Sequence, residues 1–273
     1  MSEEYQKKVY DQYYSWRARL TREQIAHPMF AAWYERLAGY VLDAAPDTGA
    51  RPVRILEVGC GEGLFAAALD RLVARRGAAV EYTGTDISRA AVELAGSVAS
   101  GRFVTSDGND VASTLAGERF DVVFAKNVLH HLDEPHRFLA QARRLLGTDG
   151  RAVFFETSRG SPLAWLAVSV EARREKHWFV RGKRRNRIAF ARGGLQVLSE
   201  DAFSWLPFEI AYTTRFRIMR WLIPVRSRAW VERVARLDAW LARVSRPLAM
   251  YNVFVTAPTR TSLDAPAPTA RSA

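Results

Sequence analysis

ILEVGCGEG runs from Ile55 to Gly63, three glycines at alternate positions behind an apolar run, with a carboxylate, Glu57, just ahead of them. The apolar run belongs to VRILEV (53–58), rich in β-branched residues, and the glycines open onto LFAAALDRLVARR (64–76). There Leu64, Ala68 and Leu72 recur at helical spacing with Phe65, Leu69 and Val73 beside them, and Gly77 stands where a left-handed cap ends a helix. A strand that empties through glycines into a helix leaves peptide groups uncovered, so a ligand can approach the backbone. A tight turn would use the same glycines. The spacing Gly59, Gly61, Gly63 brings the third one residue too early for the dinucleotide pattern G-x-G-x-x-G, and Glu57 suits a ligand carrying an amino group better than a pyrophosphate.

Outward from the loop, strand-like and helix-like stretches alternate. VEYTGTD (80–86) is a second strand, and Ser88 caps a helix over 89–99. RFVTSD (102–107) and FDVVFAK (120–126) follow; Asp133 and Pro135 start a helix reaching Leu146, and RAVFFET (151–157) is the fifth strand. Alternation at this spacing requires crossovers between parallel neighbours, and near-continuous apolar strands require a sheet covered on both faces, so the fold class is α/β, doubly wound. Ahead of it, residues 5–43 read as two or three helices breaking at Pro28 and Pro46. Behind it, residues 158–194 form an insertion with one helix (163–177) and a very basic loop. LQVLSED (195–201) and YNVFVTA (251–257) are further strands, and between them a helix places Trp230, Val234, Leu237, Leu241 and Val244 on one face. The tail after Ala257 has the Pro/Ala/Thr bias of a disordered segment.

Four motifs in order, E-x-G-x-G-x-G after the first strand, Asp86 ending the second, SDG after the third and FDVVFAKNVLHHLDEPHRFLAQARRLLGTDG around the fourth, closely resemble the class I S-adenosylmethionine-dependent methyltransferases over about 53–157. The resemblance implies a seven-stranded Rossmann-like sheet, mostly parallel with its last strand antiparallel. It implies a domain over 51–257, an N-terminal helical cap over 1–50 and helical lid insertions at about 158–194 and 204–249. It also implies S-adenosyl-L-methionine across the C-terminal strand ends. Glu57, Gly59 and Gly61 would face the methionine part, Asp86 the ribose and Asp107 the adenine amino group. Cys60, Gly63, Ile87 and Gly108 would complete the cofactor site, with Lys126 and Asn127 bordering it.

Methyl transfer from a sulfonium is an in-line displacement in which charge disappears, so alignment and exclusion of water are the main tasks. A hydroxyl acceptor also benefits from a base, and His130 and His131 follow the fourth strand near the expected methyl position. Capping or packing roles stay open for both, and neighbours on a helix point about 100° apart, so at most one reaches an acceptor. Glu156 can orient a histidine, bind the acceptor, or simply be a solvated strand end. His130, His131, Asp133 and His136 match no familiar metal-ligand spacing, and no metal is expected. Tyr13, Tyr14 and Trp16 could fold over a sulfonium, since aromatic faces attract cations, or could be core. Cys60, the single cysteine, has no disulfide partner and reads as a small loop residue.

The net charge of +11 is unevenly spread. Residues 1–150 hold 18 Lys and Arg against 20 Asp and Glu, net −2; residues 151–273 hold 22 against 9, net +13. Residues 173–192 alone carry nine cations against one glutamate, and six of the eight tryptophans lie in the second half. Tryptophan and arginine interleaved along RFRIMRWLIPVRSRAWVERVARLDAWLARVSRPL suit a lipid interface or a lid over an apolar substrate. RNA binding uses the same residue types, but no RNA-binding module is recognisable, and AKNV replaces the N-P-P-Y-like tetrapeptide of base-modifying relatives. The expected acceptor is therefore a small, largely apolar molecule, anionic, lipid-like or carrier-bound, methylated on a hydroxyl in secondary or lipid metabolism. RNA methylation and an inactive cofactor-binding partner protein are the alternatives. With no apolar run near the roughly 18 residues a membrane span needs, and no signal-peptide segment at the start, the expected location is cytoplasmic, with peripheral membrane contact through the basic helices.

Overall fold

Seven strands form one sheet in the computed structural model, which describes residues 3–15, 17–165, 182–207 and 227–259. They are β1 (Val53–Val58), β2 (Val80–Asp86), β3 (Arg102–Thr105), β4 (Phe120–Lys126), β5 (Leu146–Thr157), β6 (Leu195–Phe203) and β7 (Tyr251–Pro258), in the order β3-β2-β1-β4-β5-β7-β6. β1 to β5 pair in parallel; β7 runs antiparallel to both β5 and β6. The order reverses between β1 and β4, and at such a switch point the loops leaving the C-terminal strand ends diverge and open a crevice.

The apolar strands alternate between two cores, as a period of two demands. Ile55, Val122, Phe124, Val153 and Phe155 face one core, and Leu56, Val58, Val123, Ala125 and Phe154 face the other. The first core is an aromatic chain: Phe65 lies 4.5 Å from Phe124, and Phe203 lies 5.2 Å from Phe155 and 5.3 Å from Trp33 between ring centroids.

The helices follow the sequence pattern with instructive departures. Ahead of the sheet stand α1 (Glu3–Tyr14), α2 (Ala18–Ala26) and α3 (Pro28–Asp43), the last with Pro28 in its first turn and Phe30, Trp33, Leu37 and Val41 buried in the first core. α4 (Leu64–Arg76) ends on Gly77 at φ 64°. The Ser88 hydroxyl accepts the Ala91 N–H and caps α5 (Arg89–Gly96), which ends three residues before the expected 99: the Ser97 hydroxyl donates back to the Leu94 carbonyl, a local bond that competes with the helix. β3 stops before Ser106 because the Asp107 carboxylate turns the chain by accepting the Asn109 N–H at 2.6 Å. A short α6 (Val111–Thr114) precedes β4, and α7 (Pro135–Leu145) follows it.

Part of the expected basic loop is helical: α8 (Lys183–Arg192) buries Ala189 and Phe190, with the Phe190 ring 5.1 Å from both Phe154 and Phe254. The helix between β6 and β7, α9 (Arg228–Val244), turns a different face inward than the tryptophan and leucine spacing suggests. Val231, Asp238 and Ala242 are buried, Trp230 and Val234 are partly so, and Leu237 and Val244 are exposed. The cause is Asp238: it accepts bonds from Arg36 (2.7 Å), Trp205 N (2.8 Å) and Leu206 N (2.7 Å), which fixes the rotation of the helix. Trp16, most of the expected helix at 163–177, residues 208–226 and nearly all of the tail lie outside the described residues. Among those described, no helix is long and apolar enough to cross a membrane.

Candidate active site

The glycine loop is laced to the end of β2. Gly59 N and Cys60 N both donate to the Thr85 carbonyl, at 2.7 and 2.9 Å. Gly61 N donates to Asp86 Oδ2 and Ser88 N to Asp86 Oδ1, each at 2.9 Å. Burial pushes the Asp86 carboxyl up to about 6 against the pull of those two N–H groups, and the nearby Asp11 adds to the rise. Gly63 sits at φ 79°, and a β-carbon there would stand 2.8 Å from Ala95 Cα on α5, so only glycine lets the loop meet that helix. An ionised carboxylate offers about four acceptor sites, so Asp86 retains lone pairs for hydroxyl groups beyond the two N–H bonds. Glycine cradle and strand-end acid together fit an adenosine-bearing ligand.

Glu57 continues the Ile55 face of β1 and is 3 % exposed. Its carboxylate accepts the Tyr82 hydroxyl at 2.5 Å. Burial raises its pKa to about 8, while Tyr82 and the Lys126 ammonium act to lower it. Lys126 itself stands 5.9 and 5.7 Å from the ring centroids of Trp33 and Tyr34. Asn127 adopts φ 57°, a left-handed position asparagine tolerates, with its N–H on the Phe155 carbonyl and its side-chain oxygen accepting the Thr157 hydroxyl. Asp107 and Gly108, both half-buried, lie in the turn after β3, and Ile87 lies half-buried between Asp86 and Ser88. Cys60 is buried, which raises its thiol well above the usual value and leaves it unreactive.

Helix α1 roofs this loop. The Tyr14 hydroxyl lies 3.0 Å from the position a Gly61 β-carbon would take, and burial, then Asp86, raise its pKa well above the ordinary phenol value. Asp11 accepts the Ser88 hydroxyl at 2.6 Å and the Ala90 N–H at 3.2 Å. Arg17 forms a two-point pair with Glu62 inside the loop, Nε to Oε2 at 2.5 Å and Nη2 to Oε1 at 2.7 Å, with side chains 3 % and 6 % exposed. Thr21 adds a bond to Oε2, and Arg17 Nη1 donates to the Tyr13 hydroxyl. Glu62 has partners that lie 41 and 45 residues away in sequence, and nothing local announces them. Tyr82, Asp11 and Tyr10 were equally hidden.

Past β4 the chain makes a single tight turn, Leu129–His131. Glu156 builds it: Oε1 accepts both Val128 N (3.0 Å) and Leu129 N (2.8 Å), and Oε2 meets His130 Nδ1 at 2.9 Å. Glu156 is 3 % exposed, so it is no solvated strand end. With an ionised Glu156 accepting from Nδ1–H, the neutral imidazole carries its lone pair on Nε2. His131 faces the roof, its Nδ1 3.4 Å from the Tyr10 hydroxyl, and the two imidazole centroids are 4.0 Å apart. The turn abuts the glycine loop, since a Gly59 β-carbon would fall 2.7 Å from Val128 Cγ2. Asp133 is exposed and His136 lies in the first turn of α7; among the described residues no group of three His, Cys, Asp or Glu could hold a metal.

A family model described as a methyltransferase domain matches residues 25–206. The chain belongs to the class I S-adenosylmethionine-dependent methyltransferases. Among curated proteins, this methyltransferase is 31 % identical over 189 residues to a ubiquinone biosynthesis O-methyltransferase of Maricaulis maris, covering 62 % of this chain and 72 % of that one. It is 31 % identical over 141 residues to the non-reducing polyketide synthase ausA of Aspergillus calidoustus, covering 50 % of this chain and 6 % of the synthase. It spans about half the length of several other ubiquinone O-methyltransferases it matches, 55 % in Roseobacter denitrificans and 51 % in Cereibacter sphaeroides. Among solved structures, a protein in complex with the Haloferax volcanii Trm112 methyltransferase activator shares the fold with a TM-score of 0.59 at 16 % identity, over 93 % of this chain and 98 % of that one. The methyl donor is S-adenosyl-L-methionine.

Proposed function

We propose that this methyltransferase acts on a hydroxyl oxygen of a small, largely apolar acceptor, with His130 as the base and Glu156 as its orienting partner. The carrying observation is the Glu156–His130 pair on a turn whose Val128 packs against Gly59, which sets a directed imidazole beside the cofactor loop. The cofactor supplies an electrophilic methyl group on a sulfonium. His130 Nε2 would take the proton of the acceptor hydroxyl as its oxygen is methylated, and Glu156 would stabilise the resulting imidazolium. Asp86 would hold the ribose hydroxyls, and Glu57 with the Gly59–Gly61 backbone would hold the methionine end. The α1 roof, pinned by Arg17 and Glu62, would exclude water. The likeness to ubiquinone biosynthesis O-methyltransferases supports transfer to oxygen on a small molecule, and the basic second half supports an acceptor that is anionic or carrier-bound.

The test is incubation with radiolabelled methyl donor and separate phenolic metabolite, lipid and RNA fractions. Label is expected in a small molecule as a methyl ether. Substituting His130→Ala should lower its appearance by about 100-fold or more without weakening cofactor binding. Label entering RNA alone, or an unimpaired His130→Ala, would overturn the reading.

A further inference from the structure

The outward face of α9 is not used by packing. Leu237, Trp240 and Val244 are 50, 57 and 60 % exposed, and Leu248, just past the helix, is 41 % exposed. Steps of three and four residues align the first three on one side of the helix, so a tryptophan and its aliphatic neighbours form one continuous apolar line in water. Cations border the line. Arg233, Arg236 and Arg243 are exposed and have no ion-pair partner among the described residues. The acids of the helix are already engaged: Glu232 pairs with Arg228 at 3.2 Å, and Asp238 points inward to Arg36. The face is therefore apolar with a net cationic border, in a half of the chain with net charge +13.

We infer that α9 lies along an anionic lipid surface, with Leu237, Trp240, Val244 and Leu248 at the acyl boundary and the flanking arginines among the headgroup phosphates. Charge complementarity selects that occupant. A second copy of the chain would bring the same cations against these and be repelled, whereas an anionic bilayer answers both the apolar line and its border. Tryptophan, with an apolar body and one N–H donor, is the side chain suited to that boundary. The place is also apt. The helix leads into Arg246–Leu248, where the Pro247 carbonyl lies over Gly160, and on to Met250, whose carbonyl accepts Ser158 N at 2.7 Å. Ser158 and Gly160 belong to the chain leaving β5 just past Glu156, so the lipid-facing surface ends at the rim where the acceptor is expected.

The test is co-sedimentation of the full chain with vesicles of phosphatidylcholine alone and of phosphatidylcholine with phosphatidylglycerol, at low and high salt. Binding is expected to the anionic vesicles and to fall with salt. Leu237→Ala with Trp240→Ala should weaken it about tenfold, and Arg236→Glu with Arg243→Glu at least as much. Both variants should keep the parent's thermal unfolding and its calorimetric affinity for the demethylated cofactor, because they alter only exposed positions. Equal binding to both vesicle types would overturn the inference. So would variants that bind like the parent, which would move the contact to another basic segment, and so would self-association abolished by Trp240→Ala without vesicle binding. Vesicle binding requires no turnover, so this result and the acceptor assay fail independently.

Discussion

The glycine loop and the histidine turn touch at Gly59 and Val128, yet they are held together by opposite means. In the loop, backbone conformation and main-chain N–H groups do the holding: Thr85 and Asp86 collect four of them, and Gly63 must be glycine to lie against α5. In the turn one side chain, Glu156, gathers two N–H groups and an imidazole. The first arrangement makes the site inseparable from the fold. The second leaves a chemical group that can be altered while its surroundings persist. Substitutions near the loop should therefore unfold the protein, and substitutions in the turn should spare the fold and slow the reaction.

The largest effect is expected where the roof meets the loop. Arg17→Ala leaves the Glu62 carboxylate buried without its cation and should cost about 3–5 kcal/mol in chemical denaturation. Replacing both, Arg17→Met with Glu62→Leu, should recover most of that loss, since two apolar side chains avoid the desolvation of two charges. A single variant within about 1 kcal/mol of the parent would show that the pair lies in water rather than inside the loop. Gly63→Val comes next: forcing a β-branched residue to positive φ against Ala95 should destabilise by about 3 kcal/mol and weaken cofactor affinity, read by thermal unfolding and calorimetry.

Glu156→Gln examines the other side of the comparison. Its amide oxygen can still accept Val128 N and Leu129 N, but its NH2 would face His130 Nδ1 and drive the proton to Nε2, the wrong tautomer for a base. Stability should change by less than about 1 kcal/mol while turnover falls about 100-fold. Full turnover in this variant would reduce the histidine to packing.

The same contrast explains what the sequence made legible. The loop could be read because its constraints are local: an apolar run, glycines two apart and a strand-ending acid are contiguous, and backbone geometry fixes what they can do. β1, α4, β2 and β4 were legible for that reason, down to their end residues. The roof was not, because Arg17 and Glu62, or Tyr82 and Glu57, are joined only by tertiary folding. The face of α9 was misread because apolar spacing favours the tryptophan and leucine side, while the buried Asp238 with its bonds to Arg36, Trp205 and Leu206 outweighs that preference. A carboxylate with assembled partners can take a core position that periodicity would give to leucine.

The smallest expected effect is one of pH, and it again separates loop from turn. Glu57 and Asp86 are raised, to about 8 and about 6, with burial as the first cause in each. A carboxyl raised by folding stabilises fully below its ordinary pKa, and that contribution is lost as pH climbs through the folded value. The apo protein should therefore become less stable between about pH 4 and pH 8, Asp86 and Glu57 both acting in the lower part of that window and Glu57 alone in the upper. Acids held low by arginines, Glu35, Asp121 and Glu200, work in the opposite direction and only as pH falls through the acidic range. Glu57→Gln should flatten the upper part of the profile, by about 2 kcal/mol after allowance for Lys126 nearby. The lower part should become shallower and keep only the Asp86 contribution. Adding the demethylated cofactor should shrink the same slope in the parent, because an ammonium group beside Glu57 favours the ionised carboxylate. A parent and a Glu57→Gln variant with identical profiles from pH 6 to 8 would show that Glu57 stays ionised throughout, and the loop would then hold its ligand with a permanent charge rather than one that binding completes.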